Sequence, residues 1–204
     1  GSTGVGSPVT VRVFPEGSPQ RDRVAMMPHK RDDNEVKRSR QFALPPGTRA
    51  TLELVTRPGV AMPSDALNAL QLWALLGGVG KRSRRMFGAV EVRGDDPPPA
   101  SPDALAQGIA NVLTSAIPAA AAISGIPRFP VLHPDHSWII VGTQWFAKGS
   151  DANIDLFREL LRSSKYLEHE ESFGYARGGR RASPLIAQVR RIGGHYYPVL
   201  TAFR

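Results

Sequence analysis

The chain has 204 residues, 41% of them hydrophobic and 22% charged, a composition that is typical of folded proteins and excludes a chain that is disordered throughout. It contains no cysteine, which excludes disulfides, thiolate metal sites, iron–sulfur clusters and cysteine nucleophiles and fits a reducing compartment. The net charge of +8 favours a polyanionic partner, and since no apolar stretch approaches the roughly 20 residues of a membrane-spanning helix, we expect a cytoplasmic protein without a membrane contact.

The first quarter of the chain predicts two strands that are separated by a long arm. Residues 7–14 alternate apolar and polar side chains, as a half-buried strand does, and residues 48–55 repeat this alternation after a Pro-Pro-Gly turn. Between them, residues 16–40 are rich in charge and show almost no apolar periodicity. We therefore expect residues 16–40 to form a basic flexible arm or insertion.

The middle of the chain predicts two helices on either side of a glycine-rich basic loop. The first helix begins at Ser64, carries apolar side chains at helical spacing and ends before Gly77. After the loop, residues 86–92 alternate weakly and predict a strand. A second helix is predicted over residues 103–116, because Ser101 and the proline after it are typical of a helix start. We interpret this second helix as an insertion packed on the core.

The rest of the chain predicts strands, one more helix and a hairpin. The strands are expected over residues 128–133 and 137–142, the helix from residue 150 to about 161, and the hairpin over residues 184–189 and 195–203, across a Gly-Gly turn. From residue 48 onward the order is β-α-β, an inserted helix, then β-α-β and the hairpin. We therefore predict one α+β domain over residues 1–204 with the ferredoxin-like split β-α-β plan, a helical insertion and a terminal β-hairpin.

The positive charge is concentrated in three segments, each rich in glycine, serine or proline. Residues 1–50 carry a net charge of +4, residues 77–93 of +4 and residues 174–191 of +5, whereas the rest of the chain carries −5. A single basic run is often only solvated surface. Three separate runs in loop-like segments favour a phosphate-bearing partner, which we interpret as nucleic acid.

The run GGVGKRS, residues 77–83, contains the residues of a phosphate-binding loop but not their order. A nucleotide-binding P-loop requires glycine where Leu75 stands, and serine or threonine where Arg82 follows Lys81. We therefore do not expect ATP or GTP hydrolysis. The loop still combines glycines, which let main-chain N–H groups approach a phosphate, with four cations in five positions. The alternative is a helix end followed by a solvated turn.

Neither a bound metal nor a catalytic motif is predicted. The 5 histidines are accompanied by no cysteine and by no metal-binding spacing, so we expect no metal and no cofactor. If the protein cleaves RNA, the candidates for the general base are His195, which follows two arginines closely, and His136.

Four aromatic residues are candidates for stacking on bases. Trp73, on the apolar stripe of the first helix, and Trp138, in a strand, are predicted to pack in the core. Phe87, beside the basic loop, is the better candidate for stacking. For Trp145 the sequence does not distinguish between packing in the core and stacking on a base.

The basic loop and three other segments resemble a known family. The run GGVGKRSRRMFG resembles the G-G-x-G-x-R-x-R-R-G-F-G signature of RAMP proteins in type III CRISPR effectors, most closely the head-end RAMP subunit of the type III-B (Cmr) complex. FPVL, RRASPL and YYPVL, which begin at Phe129, Arg180 and Tyr196, are similar to the closing segment of that subunit. Met86 departs from the signature, which has glycine there.

This resemblance implies an RNA-binding, non-nucleolytic component of a complex guided by crRNA. Such a subunit lies where the 3′ part of the guide meets the 5′ part of the target, so the implied partners are crRNA, target RNA and other RAMP subunits. Family members have two ferredoxin-like halves, and the chain corresponds to the later, C-terminal half. Two alternatives stay open, a metal-independent RAMP ribonuclease and a subunit that only docks other proteins.

The RNA-binding residues expected in the loop, in a second basic strip and in the arm form one set. They are Gly78, Gly80, Lys81, Arg82, Ser83, Arg84, Arg85, Arg180, Arg181, Lys37, Arg38 and Arg40. We expect them to hold the phosphate backbone largely without reading bases.

Overall fold

The structure is a computed structural model that describes residues 7–18, 20–32, 35–80, 83, 88–93, 98–117, 125, 131–149 and 185–203. Within residues 22–41 it describes the main chain alone. The chain divides into two compact units, Gly1–Ala66 and Leu67–Arg204, which are described separately below.

The first unit contains the two predicted strands, paired with each other. β1 (Val9–Pro15) runs antiparallel to β4 (Ala50–Thr56), so that Val11 lies opposite Leu54 and Val13 opposite Leu52. The alternating pattern therefore places the valines of one strand and the leucines of the other on the same face of the ribbon. Both strand predictions are confirmed.

The segment expected to be a flexible arm or insertion contains a second antiparallel pair. β2 (Asp22–Asp32) pairs with β3 (Glu35–Ala43), and the register shifts on both sides of Pro28. These strands were not predicted from the sequence, because strand pairing joins main-chain groups and does not require apolar alternation. The shifts at Pro28 follow from its lack of an N–H donor, which interrupts the ladder.

Both helices of the second unit match their predictions. α1 (Ser64–Leu76) is half-buried and ends where Gly77 N donates to Trp73 O at 2.8 Å. α2 (Pro102–Ala116) begins at Ser101, whose Oγ accepts a hydrogen bond from Ala104 N at 3.1 Å. Its apolar stripe is buried, which confirms that this helix packs on the core. Neither helix in the described part of the chain has the length and apolar character that crossing a bilayer requires.

A three-stranded antiparallel sheet completes the second unit. Its strands are β5 (Ser137–Val141), β6 (Leu185–Ile192) and β7 (His195–Phe203), in the spatial order β5-β7-β6. The turn between β6 and β7 has positive φ at both Gly193 (54°) and Gly194 (90°), which a two-residue hairpin turn requires and glycine permits. The hairpin prediction is confirmed. The buried core between sheet and helices comprises Leu76, Leu105, Ile109, Leu113, Ile192 and Val199.

Two other predicted strands are not formed by the described residues, and one predicted helix lies outside those residues. Residues 88–93 form no strand, and Gly88 has a φ of +68°, which is outside the strand region. Residues 131–133 are likewise irregular. The helix expected from residue 150 lies outside the described residues. Within the described part, two helices and antiparallel sheets make an α+β fold, as predicted.

Candidate nucleic-acid interface

The glycine-rich loop after α1 has a closed base. Val79 N donates to Gly88 O at 2.8 Å, and Ser83 N donates to Gly80 O at 3.2 Å. In the sequence, the predicted cations Lys81, Arg82, Arg84 and Arg85 all fall between the two residues that close the base, although their own positions lie outside the described residues. The structure thus fixes the two ends of the segment that carries these charges.

The glycines of this loop have different physical roles. A Cβ at Gly78 would lie 2.8 Å from Gly88 O and 2.9 Å from Gln188 Nε2, so this glycine allows two chain segments and a side chain to meet. A Cβ at Gly88 would overlap Val79 O. Gly80, in contrast, has a φ of +94°, and none of the described residues lies within 4 Å of its Cβ position. Of the two predicted glycines, Gly78 is therefore used for internal packing, whereas Gly80 has the positive φ that favours glycine.

A buried arginine of β6 holds the residues that lead into the loop. Arg190 is only 7% exposed, and its guanidinium donates from Nε to Leu75 O at 2.6 Å and from Nη2 to Gly77 O at 2.7 Å. These carbonyls belong to the C-terminal end of α1, where the helix dipole favours a positive charge. Burial lowers the pKa of Arg190 to about 10, so the side chain remains protonated at neutral pH.

A second polar side chain of β6 reaches the loop itself. Gln188 is 1% exposed, and its Nε2 donates to Ser83 O. Because strand side chains alternate, Gln188 and Arg190 project from the same face of β6. Neither residue is predicted as part of the site from the sequence. The available signal was a pair of polar residues at alternate positions in the apolar run LIAQVRRI.

One exposed ion pair joins the residues after the loop to β6. Glu91 lies 3.7 Å from Arg93 and 3.9 Å from Arg191. Exposed pairs of this kind contribute at most about 1 kcal/mol. Glu91 is the single acid in residues 77–93, so most of the positive charge in this segment has no acidic neighbour in sequence.

The two other predicted basic groups belong to other segments of the chain. Arg180 and Arg181 lie outside the described residues. Lys37, Arg38 and Arg40 belong to β3, where they pair with Lys30, Pro28 and Ala25, in a part where only the main chain is described.

The histidines near β5 occupy a structural turn. His133 and His136 are both buried, with ring centroids 5.5 Å apart, and His133 Nδ1 accepts a hydrogen bond from Asp135 N at 3.1 Å. His195 is exposed at the start of β7. Among the described residues no three histidine, aspartate or glutamate side chains are grouped as a metal site would require.

The tryptophans differ from the predicted packing in one case. Trp73 is half-buried on α1. Trp138, predicted to pack in the core, is 55% exposed, so that prediction was wrong. Alternation along β5 puts Ile139 and Val141 against the core and leaves Trp138 on the opposite face. Trp145 is 54% exposed, and Phe87 lies outside the described residues.

Comparisons with known proteins connect this architecture to a solved structure. No family model matches the sequence. No curated protein is significantly similar to it. In fold, the chain is similar to Cmr1 from Pyrococcus furiosus in its apo form, with a TM-score of 0.58 and 20% sequence identity, over 100% of this chain and 69% of that chain. The resemblance is thereby confirmed at the level of the fold, and the predicted α+β fold is one that the chain shares with Cmr1.

Proposed function

We propose that the protein is a non-catalytic RNA-binding subunit of a type III-B (Cmr) CRISPR effector complex in the cytoplasm. In this proposal the glycine-rich basic loop contacts the phosphate backbone of crRNA, of target RNA or of both, and other RAMP subunits are its neighbours. The fold shared with Cmr1 and the signature-like loop sequence support the assignment to such a complex.

The observation that carries the RNA-binding part is the way the loop is supported. Residues 80–87 contain four cations and no acid, and the bond between Val79 and Gly88 closes the segment that contains them. Buried Gln188 and Arg190 hold the base of the loop from β6. A loop with fixed ends loses less conformational freedom on binding, so more of the electrostatic attraction to phosphates contributes to affinity.

Binding to a labelled single-stranded RNA at several salt concentrations tests this proposal. For single strands, the slope of log K against log salt is about −0.7 for each phosphate neutralised. Arg82→Ala, Arg84→Ala and Arg85→Ala together should therefore weaken binding and make the slope shallower by about 2. The matched control replaces three exposed arginines of the first unit, Arg12, Arg21 and Arg49, by alanine and so removes the same charge.

The comparison of the two triple variants decides the assignment. The proposal requires the loop variant to lose affinity and slope while the control stays close to the wild type. Equal losses in both variants would show only a general effect of net charge. A loop variant indistinguishable from the wild type would contradict the proposal.

The non-catalytic part is tested separately. Labelled repeat RNA is incubated with the protein in EDTA, which removes metal-dependent contaminants. We expect the RNA to stay intact. Cleavage that disappears in His195→Ala or in His136→Ala would instead support the metal-independent ribonuclease alternative.

A further inference from the structure

Two exposed aromatic rings lie together where the three-stranded sheet ends. The rings of Trp145 and His195 have centroids 4.3 Å apart and an interplanar angle of 64°. Phe146 and Tyr196 exchange two main-chain hydrogen bonds of 2.9 Å, which fix the chain on the C-terminal side of each ring. Although Trp145 is held in this way, it remains 54% exposed.

The geometry leaves ring surface available for a ligand. In an edge-to-face pair, the edge of one ring meets one face of the other, so three of the four faces are not used by the pair. An indole that already contacts a neighbouring ring loses less rotamer freedom when a flat ligand stacks on it than a free side chain does. These are the properties of a stacking platform for bases.

The charge around the pair favours an anionic ligand. Residues 142–149 and 185–203 contain Lys148, Arg190 and Arg191 and no aspartate or glutamate. Arg190 is buried at the base of the loop and Arg191 is paired with Glu91, so of these three cations Lys148, which is exposed two residues beyond Phe146, is the one left for a ligand. Single-stranded RNA offers phosphates and flat bases together, which fits a cation beside exposed aromatic rings.

The pair is also connected to the basic loop through one strand. Ile192 of β6 lies opposite His195, and Gln188 of the same strand donates to Ser83 in the loop. Gln188 and Ile192 are four residues apart on β6, a distance of about 13 Å along the strand. We propose that Trp145, held by His195, stacks a base of the same single-stranded RNA whose phosphates the basic loop neutralises. This inference rests on the proposed function above.

Trp138 provides a matched control for the test. It is as exposed as Trp145, at 55%, and it lies on β5 beside Ile140, which is 57% exposed. Its described neighbours on that face, Ile140 of β5 and Ala202 of β7, are apolar rather than cationic. We measure the affinity of the wild type, Trp145→Ala, Trp145→Phe and Trp138→Ala for a labelled single-stranded RNA, at several salt concentrations.

Stacking predicts a specific combination of results. Trp145→Ala should weaken binding by about 5-fold to 160-fold, because stacking on one aromatic ring contributes about 1–3 kcal/mol per base. The loss should be equal at every salt concentration, because no ionic contact is removed. Trp145→Phe should keep most of the affinity, and Trp138→Ala should stay within about twofold of the wild type. If Trp145→Ala is unstable, Trp145→Leu keeps apolar bulk without a ring and should show the same loss.

Other results would overturn the inference. A Trp145→Ala or Trp145→Leu variant that binds RNA like the wild type would overturn it while leaving the basic loop assigned. Equal losses in Trp145→Ala and Trp138→Ala would also overturn it. If the Trp145 variant keeps its RNA affinity but no longer assembles with neighbouring subunits, the rings bind protein instead. A wild type that binds no RNA would overturn the proposed function itself.

Discussion

Replacing Arg190 by methionine tests how the base of the basic loop is held. The substitution keeps a long, unbranched side chain on β6 and removes the donors to Leu75 O and Gly77 O. A hydrogen bond from a charged group contributes about 1.5–3 kcal/mol to stability, so the two bonds together contribute about 3–6 kcal/mol.

The burial of the charge opposes this contribution. The pKa of Arg190 falls to about 10 because the guanidinium is desolvated. With about 1.4 kcal/mol for each tenfold change in proton affinity, this lowering corresponds to a cost of roughly 3 kcal/mol for the charged side chain. The two contributions partly offset each other, and we expect Arg190→Met to lower the free energy of unfolding by about 0–3 kcal/mol.

Urea unfolding of the wild type and of Arg190→Met at pH 7 measures this difference. The difference should be constant between pH 6 and 8, because Arg190 is protonated in both the folded and the unfolded chain at these values. Hydrogen exchange at the amides of Val79 and Ser83 should become faster in the variant. A loss above about 5 kcal/mol would refute the reasoning, because it would mean that the desolvation cost is not present. Unchanged exchange at both amides would show that Arg190 does not hold the loop.

Three further predictions concern the loop, the buried charge and the second helix. Gly88→Ala should destabilise the protein by at least about 1 kcal/mol more than Gly80→Ala does. Both glycines have a positive φ, but among the described residues only a Cβ at Gly88 overlaps a neighbour. Equal losses of unfolding free energy, measured in urea, would contradict this prediction. The unfolding free energy of the Arg190→Lys variant should rise as the pH rises from about 8 to about 10, because the buried ammonium releases its proton at a lower pH than the same group in the unfolded chain. An unfolding free energy that stays constant over that range would refute this prediction. Ser101→Ala should lower stability by about 1 kcal/mol in thermal unfolding, because the hydrogen bond from Ala104 N is lost. Ser101→Asp keeps an acceptor for this bond and should leave stability unchanged. Equal effects of the two substitutions would show that the cap contributes nothing.

The elements that the sequence predicts well are those whose signals are local. The cap at Ser101, the apolar stripe of α2 and the Gly-Gly turn between β6 and β7 each lie within a few consecutive residues. Apolar alternation likewise identifies β1 and β4. The pair β2 and β3 lacks this signal, because its pairing is made by main-chain groups of a largely polar segment.

The supports of the candidate site could not be predicted in the same way. Arg190 and Gln188 bind atoms that are more than 100 residues away in the chain, so no local pattern connects them with the loop. Trp138 shows a second limit of local patterns. Alternation indicates which side chains of β5 share a face, but only tertiary packing decides which face is covered.

The hydrogen bond between Val79 and Gly88 joins main-chain atoms, so it holds the two ends of the loop whichever side chains lie between them. We therefore expect substitutions or short insertions between Val79 and Gly88 to leave this hydrogen bond in place. Lengthening a closed loop costs only about 0.6 kcal/mol for each doubling of its length. Affinity for a polyanion can thus evolve by exchanging residues in this interval, at little cost to folding.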